Sequence, residues 1–244
     1  MIRLEGVSKA FDRPVLAEVD LSVPERCLFG LIGPGASGKS LLLRMITGLM
    51  RPDRGKVTVG GQDVLAMGDM QVHEFRKGIG MLFQNNALFD FMTVAENIAF
   101  PLRRLFDLPE LEIAERVAER LARVDLPGFE ARLPGGLSGG QKKRVGVARA
   151  TVTRAPIILY DEPAAGLDPV TSQKIFDLLR AEQRAANATV IMVSSDLDRL
   201  LTVTDRVGMM LGGRLIFEGT TGEAQNSSDP RVHQFVHGTV DGPL

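Results

Sequence analysis

The first candidate for a functional site is the loop GPGASGKS at residues 33–40, which begins with a glycine and has another just before its lysine. It follows the apolar run 28–32 and precedes a helical pattern at 41–49, so it matches the P-loop pattern in its strand, loop and helix setting. Inward-facing backbone N–H groups and the positive end of the next helix make a concave site for phosphate. We expect Lys39 to contact the β- and γ-phosphates and the Ser40 hydroxyl to bind Mg²⁺. The predicted phosphate-binding residues are Gly33, Pro34, Gly35, Ala36, Ser37, Gly38, Lys39 and Ser40.

Two carboxylates follow a second apolar strand pattern. The run 157–160 leads directly into Asp161 and Glu162. Carboxylates at the end of a buried strand are costly unless they face a cation or a reacting water. Asp161 therefore suits the Mg²⁺ shell, and Glu162 suits the positioning or deprotonation of an attacking water.

Gln84 is a third candidate ligand, because it ends the strand pattern 79–84. Ligands of open α/β sheets collect at such strand ends, so Gln84 is a reasonable partner for Mg²⁺ or water. Taken alone, a glutamine at this position would more often be an ordinary loop residue. The predicted set of Mg²⁺ ligands is Ser40, Gln84 and Asp161.

A short run of small residues marks a possible second anion site. Ser138, Gly139, Gly140 and Gln141 precede a helical pattern. Ser138 is a candidate N-cap. Its hydroxyl and the exposed amides of a helix N-terminus would also suit a terminal phosphate. A simple helix cap and a phosphate site are both open on these residues alone.

An aromatic residue stands in the first predicted turn. Phe11 lies between two alternating apolar patterns, 2–7 and 15–23, which predict antiparallel strands. Its ring could stack on a nucleobase. It could equally be a core or hairpin side chain.

The remaining elements alternate between strands and helices until about residue 88. From there to about 152 helical periodicity replaces the strand signal, which indicates a helical insertion. Its predicted apolar stripe comprises Ala114, Val117, Ala118 and Leu121, and its solvated side carries the pairs Glu112–Arg116 and Glu119–Arg123. Further strands are expected at 56–59 and 189–193, with a helix at about 170–186.

Composition narrows the class of protein. At 244 residues the chain suits one α/β unit with an inserted subdomain. Its 29 Lys and Arg residues balance 30 Asp and Glu residues, which argues against a nucleic-acid partner. Cys27 is the only cysteine, suits a reducing compartment and is predicted to be a buried strand residue. Neither a signal peptide nor an apolar run of about 18 residues is visible, so we expect a soluble or peripheral protein.

Taken together, the motifs resemble those of the ATP-binding-cassette (ABC) ATPases from residue 2 to about 220. The ordered set comprises the loop 33–40, Gln84, LSGGQ at 137–141, the strand and carboxylates at 157–162, and GLD at 166–168. This resemblance implies a head-to-tail dimer with two sandwiched ATP molecules. Each ATP would be held by the P-loop of one chain and by Ser138, Gly139, Gly140 and Gln141 of the other. It also implies that Phe11 stacks on adenine.

Two stretches, 88–102 and 229–236, are similar to the Mla/Mkl/Ttg2A branch of these cassettes. That branch serves permeases that work with MCE-domain lipid-binding proteins. The interval between Gln84 and Leu137 is too short for the coiled coil of the DNA-repair cassettes, and the tandem cassettes of the translation-associated class are absent. The implied function is the ATP-binding, ATP-hydrolysing subunit of a membrane ABC transporter for phospholipid or another hydrophobic substrate. An amino-acid or lipoprotein transporter is the alternative within the family.

One position departs from the family pattern. The family places a histidine after the last core strand, where it touches the γ-phosphate and supports hydrolysis, but Ser195 stands here. A serine hydroxyl is shorter and carries no positive charge, so we expect slow hydrolysis. A nucleotide switch without useful turnover is the alternative from another class. His233 and His237 are four apart, as a metal pair would be, but a solvated helix face is favoured.

The predicted fold is α/β, namely a P-loop NTPase with a RecA-like core, an antiparallel β subdomain and an inserted α-helical signature subdomain. The expected ATPase domain spans 1–220, with its core at 1–87 and 153–220 and the helical subdomain at 88–152. Residues 221–244 form a C-terminal extension.

The expected cofactors are ATP and Mg²⁺. The expected partners are a second copy of the chain, an integral membrane permease and an MCE-domain protein, at the cytoplasmic face of the inner membrane. An apolar groove that includes Phe83 and Leu88 would receive a cytoplasmic helix of the permease.

Overall fold

The computed structural model describes all 244 residues, from Met1 to Leu244. The strands are β1 (Ile2–Ala10), β2 (Pro14–Val23), β3 (Leu28–Ile32), β4 (Arg54–Val59), β5 (Gln62–Asp63), β6 (Ile79–Leu82), β7 (Ile157–Asp161), β8 (Thr189–Val193), β9 (Arg206–Leu211) and β10 (Arg214–Thr220). The α-helices are α1 (Lys39–Ile46), α2 (Asp69–Arg76), α3 (Val94–Leu105), α4 (Glu110–Arg123), α5 (Gly139–Thr151), α6 (Pro169–Ala186), α7 (Leu197–Val203), α8 (Thr221–Gln225) and α9 (Pro230–His237). This mixture of strands and helices confirms the predicted α/β class.

The chain folds as two compact units. The first contains Met1–Val72 and Thr189–Leu244, and the second contains His73–Ala188. The functional division into a core and a helical subdomain at 88–152 stays a prediction.

The first unit contains an antiparallel sheet with the strand order β2-β1-β4-β5. It also contains strands hydrogen-bonded in the order β10-β9-β3-β8. Strand β3 is parallel to both β8 and β9, and every residue of β3 and β8 is buried. Such uniformly apolar runs are typical of parallel strands that are covered on both faces. Strand β3 ends at Ile32, so the sheet holds the start of the loop 33–40 in place.

The second unit contains the parallel pair β6 and β7 together with the helices α3 to α6. The predicted stripe on α4 is half wrong, because Ala114 and Ala118 are exposed whereas Val117 and Leu121 are buried. Ile113 takes the inward position instead, since its larger side chain removes more apolar surface from water than an alanine methyl. The predicted ion pairs are present, with Arg116 Nη2 2.5 Å from Glu112 Oε1 and Arg123 Nε 3.3 Å from Glu119 Oε1.

Several boundaries differ from the sequence prediction, and three of them lie close to candidate site residues or to Cys27. Cys27 is buried but precedes β3, because the chain is still leaving a turn in which Arg26 has φ 59°. Strand β6 ends at Leu82, so Gln84 lies two residues beyond the strand. Helix α1 covers 39–46 rather than 41–49, because it begins at the lysine of the glycine loop.

The C-terminal segment is packed rather than extended. Helix α9 contacts α8 and buries Val232 and Val236. His233 and His237 are exposed, as expected for a solvated face, and their ring centroids lie 4.4 Å apart. None of the helices combines the length and the apolar character that a membrane span needs.

Candidate functional site

The glycine loop lines a cavity of about 560 Å³ in the first unit. Gly33 has φ 136°, and a Cβ at this position would lie 2.1 Å from the Met210 carbonyl oxygen, so only glycine fits. At Gly35 a Cβ would meet no other atom within 4 Å, so the backbone there is open to an approaching group. The loop therefore forms a concave surface of main-chain atoms at the end of β3.

Lys39 places a cation over this surface. Its Nζ donates to the carbonyl oxygens of Gly33 at 2.6 Å and Pro34 at 2.7 Å, and to Ser37 Oγ at 3.2 Å. Lys39 is also the first residue of α1, whose N-cap is Gly38. An ammonium group beside a helix N-terminus favours an anion, because both carry positive potential. The loop, with Ser40 at the second position of the helix, thus has the shape and the positive potential of an anion site. Binding of nucleotide phosphates and of Mg²⁺ there stays a prediction.

The hairpin between β1 and β2 borders the same cavity. Arg13, Pro14 and Val15 line it, together with residues 211–213. Phe11 lies in the turn just before them, with 59 % of its surface exposed and Lys9 Nζ 5.6 Å from its ring centroid. Phe11 does not line the cavity. Stacking of its exposed ring on a base stays a prediction.

Ser195 lies at the sheet edge where the glycine loop begins. Leu31 of β3 is in register with Val193 of β8, and the strands are parallel. Gly33 and Ser195 therefore each lie two residues beyond paired positions, at the carboxyl ends of neighbouring strands. Ser195 is exposed, and Asp196 after it caps α7.

The second unit brings Gln84 and Glu162 together in the same way. Leu82 of β6 is in parallel register with Tyr160 of β7, so both candidates lie two residues past a matched pair. Asp161 is the buried last residue of β7. Glu162 is half-buried and has φ 51°, a left-handed conformation that is uncommon outside glycine.

Lys143 joins these two strand ends, although no sequence motif singles it out. Its Nζ donates to the main-chain oxygens of Gln84 at 2.6 Å and Glu162 at 3.2 Å. Burial lowers the pKa of Lys143, whereas the negative charges of Glu162 and Asp161 act to raise it. No signal in the sequence distinguishes Lys143 from its neighbour Lys142, because only the fold decides which of them faces inward.

The run 138–141 forms the N-terminus of α5 in a reciprocal capping box. Ser138 Oγ accepts from Gln141 N at 3.3 Å, and Gln141 Oε1 accepts from Ser138 N at 2.9 Å. The predicted N-cap is therefore confirmed. Ser138 and Gly139 are exposed, so a phosphate from another molecule could approach them.

The start of α5 packs closely against the start of α6. A Cβ on Gly140 would lie 2.8 Å from Thr171 Cγ2. Asp168 caps α6 by accepting from Val170 N and Thr171 N, each at 3.0 Å. Hydrogen bonds from the Thr171 side chain and backbone lower the pKa of the Asp168 carboxyl.

An apolar cavity of about 270 Å³ also lies in the second unit. Phe83 lines it as predicted, but Leu88 does not. Phe89 and Phe100 line it instead, with ring centroids 4.8 Å apart. The full lining comprises Ile79, Gly80, Met81, Phe83, Ala87, Phe89, Phe100, Pro101, Leu105, Arg149, Ala150 and Thr153.

Arg149 holds one wall of this cavity in an unusual conformation. Asn86 and Ala87 both have positive φ, at 60° and 50°. Arg149 donates to both of their carbonyl oxygens, which stabilises this strained pair. Burial lowers the pKa of Arg149.

Comparison with protein families finds a match to the ABC transporter family over residues 16–165. The relatives found include three that each match 91% or more of this chain. The probable ribonucleotide transport ATP-binding protein Mkl of Mycobacterium tuberculosis is 37% identical over 100% of this chain and 68% of its own length. The methionine import ATP-binding protein MetN of Caulobacter vibrioides is 41% identical over 91% of this chain and 68% of its own.

The third relative is the intermembrane phospholipid transport system ATP-binding protein MlaF of Haemophilus influenzae. It is 36% identical over 97% of this chain and 89% of its own length. Among solved structures, the chain is similar to the dimeric ATP-binding cassette MJ0796 in a post-hydrolysis state bound to ADP and Pi. That similarity has a TM-score of 0.84 and 30% identity, and it covers 91% of this chain and 99% of the other.

Proposed function

Because the chain belongs to the ABC transporter family of ATP-binding proteins, we propose that it hydrolyses ATP slowly to drive a permease for phospholipid or another hydrophobic substrate. The observation that carries the ATP-dependent part is the main-chain cradle at 33–40 with Lys39 across it. The experiment is phosphate release by the chain in complex with its permease, compared between wild type and a Glu162 variant.

In this proposal the first unit binds the phosphates of ATP. The backbone amides of the loop 33–40 and the ammonium of Lys39 surround them, and the Phe11 ring contacts the base. Bound Mg²⁺, held by Ser40, Gln84 and Asp161, would neutralise phosphate charge. Oxygen ligands of this kind, an amide, a carboxylate and a hydroxyl, are those that Mg²⁺ prefers.

Glu162 is the proposed catalytic base. Its carboxylate positions the attacking water and accepts a proton from it, while Lys39 stabilises the charge that develops on the departing phosphate. The exposed Ser138 and Gly139 of a second copy complete the site, in a head-to-tail dimer. ATP then binds the closed dimer better than the open one, and this difference in affinity drives the permease.

The residue at position 195 determines how fast we expect ATP hydrolysis to be. Removal of one hydrogen-bond donor to the transition state slows a reaction by about 10² to 10³, and a serine hydroxyl is a poorer donor than a charged imidazole. Ser195→His should therefore accelerate steady-state ATP turnover by up to about 10²-fold, with ATP affinity little changed. Ser195→Ala should be slower than wild type. If Ser195→His is no faster and Ser195→Ala is no slower than the wild type, Ser195 does not contact the reacting groups. Measurable ATP turnover by the wild type would exclude the alternative of a nucleotide switch without useful turnover.

The apolar cavity of the second unit is the proposed docking site for a cytoplasmic helix of the permease. Phe83→Glu should lower the affinity for the permease by at least about 10²-fold, as measured by co-purification, because the glutamate would bury an unpaired charge in the interface. ATP turnover by the isolated chain should not change. Leu111→Glu, at a residue that is 74 % exposed on α4, is the matched control and should leave both properties intact. Unchanged permease binding by Phe83→Glu would remove the cavity from the interface.

The substrate is the finer part of the proposal. Similarity to a phospholipid transport protein along 97% of this chain supports a phospholipid substrate. We propose, in addition, an MCE-domain partner and a position at the cytoplasmic face of the inner membrane. A methionine import protein is similar to a comparable degree, so an amino-acid transporter is the second candidate. Transfer of labelled phospholipid between vesicles by the reconstituted complex, set against methionine uptake, separates the two.

A further inference from the structure

Lys143 is a buried lysine on α5, with 5 % of its surface exposed. Its ammonium donates to two main-chain oxygens, those of Gln84 and Glu162, which follow the ends of β6 and β7. Helix α5 begins immediately after Ser138. One side chain therefore links both strand ends to the helix whose N-cap is Ser138.

Both linked positions need support that the strands do not supply. Gln84 lies two residues past the end of β6 and is exposed. Glu162 has φ 51°, and its carbonyl otherwise accepts from Ala165 N at 3.3 Å. A charge-assisted hydrogen bond is shorter and stronger than a neutral one, so Lys143 is suited to hold this backbone.

The rest of the helix fixes the place of Lys143. A Cβ on Gly146, three residues further along α5, would lie 2.6 Å from Leu82 Cδ1. Likewise, a Cβ on Gly80 of β6 would lie 2.0 Å from the Ala150 carbonyl oxygen. These two close approaches seat α5 directly on β6, so the helix backbone that carries Lys143 cannot move away from β6 without disturbing the packing.

A charged group is not needed at this position for packing alone. Burying an ammonium is costly, and apolar residues of similar volume often replace buried ionic groups without loss of stability. A methionine would occupy nearly the same volume as Lys143. We therefore expect the role of Lys143 to depend on the hydrogen bonds that its ammonium donates.

We propose that Lys143 is a positioning residue for ATP hydrolysis, which holds the backbones of Gln84 and Glu162 in fixed relation to the start of α5. The Glu162 carboxylate and the Gln84 amide then keep their places when Ser138 engages a nucleotide. This inference rests on the function proposed above for Glu162 and Gln84.

Lys143→Met tests the role of the donors. It should lower kcat for ATP about 10- to 100-fold, since displacing a catalytic group by about 1 Å can have an effect of this size. The KM for ATP should change by less than about twofold, because binding in the loop 33–40 is not touched. Lys143→Gln keeps one donor group and should recover part of kcat. Lys142→Met is the matched control, because Lys142 is adjacent on α5 and donates to neither carbonyl.

Amide hydrogen exchange of the nucleotide-free chain gives a readout that does not depend on turnover. Lys143→Met should accelerate exchange in 83–87 and 162–165, and Lys142→Met should not. Unchanged exchange, or unchanged kcat in the presence of wild-type activity, would overturn the proposal. If Lys143→Met does not fold, the same two comparisons are made with Lys143→Gln. If the wild type releases no phosphate, the proposed function is wrong instead. Hydrogen exchange then remains the test of whether Lys143 holds the two strand ends.

Discussion

Lys39→Ala should abolish ATP binding and turnover together. The ammonium is a charged donor at the cradle, where it lies 2.6 to 2.7 Å from two loop carbonyls that phosphate oxygens would replace as its acceptors. A hydrogen bond to a charged group contributes roughly 1.5–3 kcal/mol, so ATP affinity should fall by about 10- to 100-fold for each hydrogen bond to phosphate that is removed. Isothermal titration calorimetry with ATP and Mg²⁺ measures this directly.

Two comparisons make the result specific. Lys142→Ala removes a half-buried lysine on α5 and should bind ATP like the wild type. Thermal unfolding of Lys39→Ala reports whether the loop still folds without the bonds to Gly33 and Pro34. A correctly folded Lys39→Ala that binds ATP with wild-type affinity would show that the glycine loop is not the phosphate site.

Glu162→Gln should separate binding from chemistry. The amide keeps the size of the side chain and leaves the main-chain bond from Lys143 in place, but it cannot accept a proton. Loss of a general base slows a reaction by about 10² to 10⁴, so turnover should fall to this extent while ATP affinity is retained. Because the bound ATP is no longer consumed, an ATP-loaded dimer should accumulate.

Light scattering with and without ATP detects that dimer, and a phosphate-release assay detects the lower turnover. Glu115→Gln, at an exposed position of α4, is the isosteric control and should behave like the wild type in both assays. Full activity in Glu162→Gln would show that Glu162 is not the general base and that another group activates the water.

The local elements of the site are predictable from the sequence, because each depends on neighbours in the chain. Glycines that frame a lysine after an apolar strand define the loop 33–40, and the Ser138 cap follows from its spacing to Gln141. The parallel strands that end near Asp161 and Glu162 are likewise visible as uninterrupted apolar runs.

The features that the sequence does not predict depend on contacts between distant segments. Lys143 and Arg149 look like ordinary surface cations until α5 is seated on β6, which places them against the carbonyls of 84–87 and 162. The predicted face of α4 is partly wrong because alanine is too small to decide which side a helix buries. Phe89 lines the cavity and Leu88 does not. The sequence could not predict this, because an irregular segment has no periodic pattern that shows which side chains face inward.

The most direct test of ATP hydrolysis by this chain is phosphate release from the chain assembled with its permease in liposomes, measured in parallel for wild type and Glu162→Gln. We expect slow but steady release from the wild type, dependent on ATP and Mg²⁺, and release at least about 10²-fold slower from Glu162→Gln. Equal rates from the two proteins, or no release from a wild type that binds ATP, would contradict the proposed function.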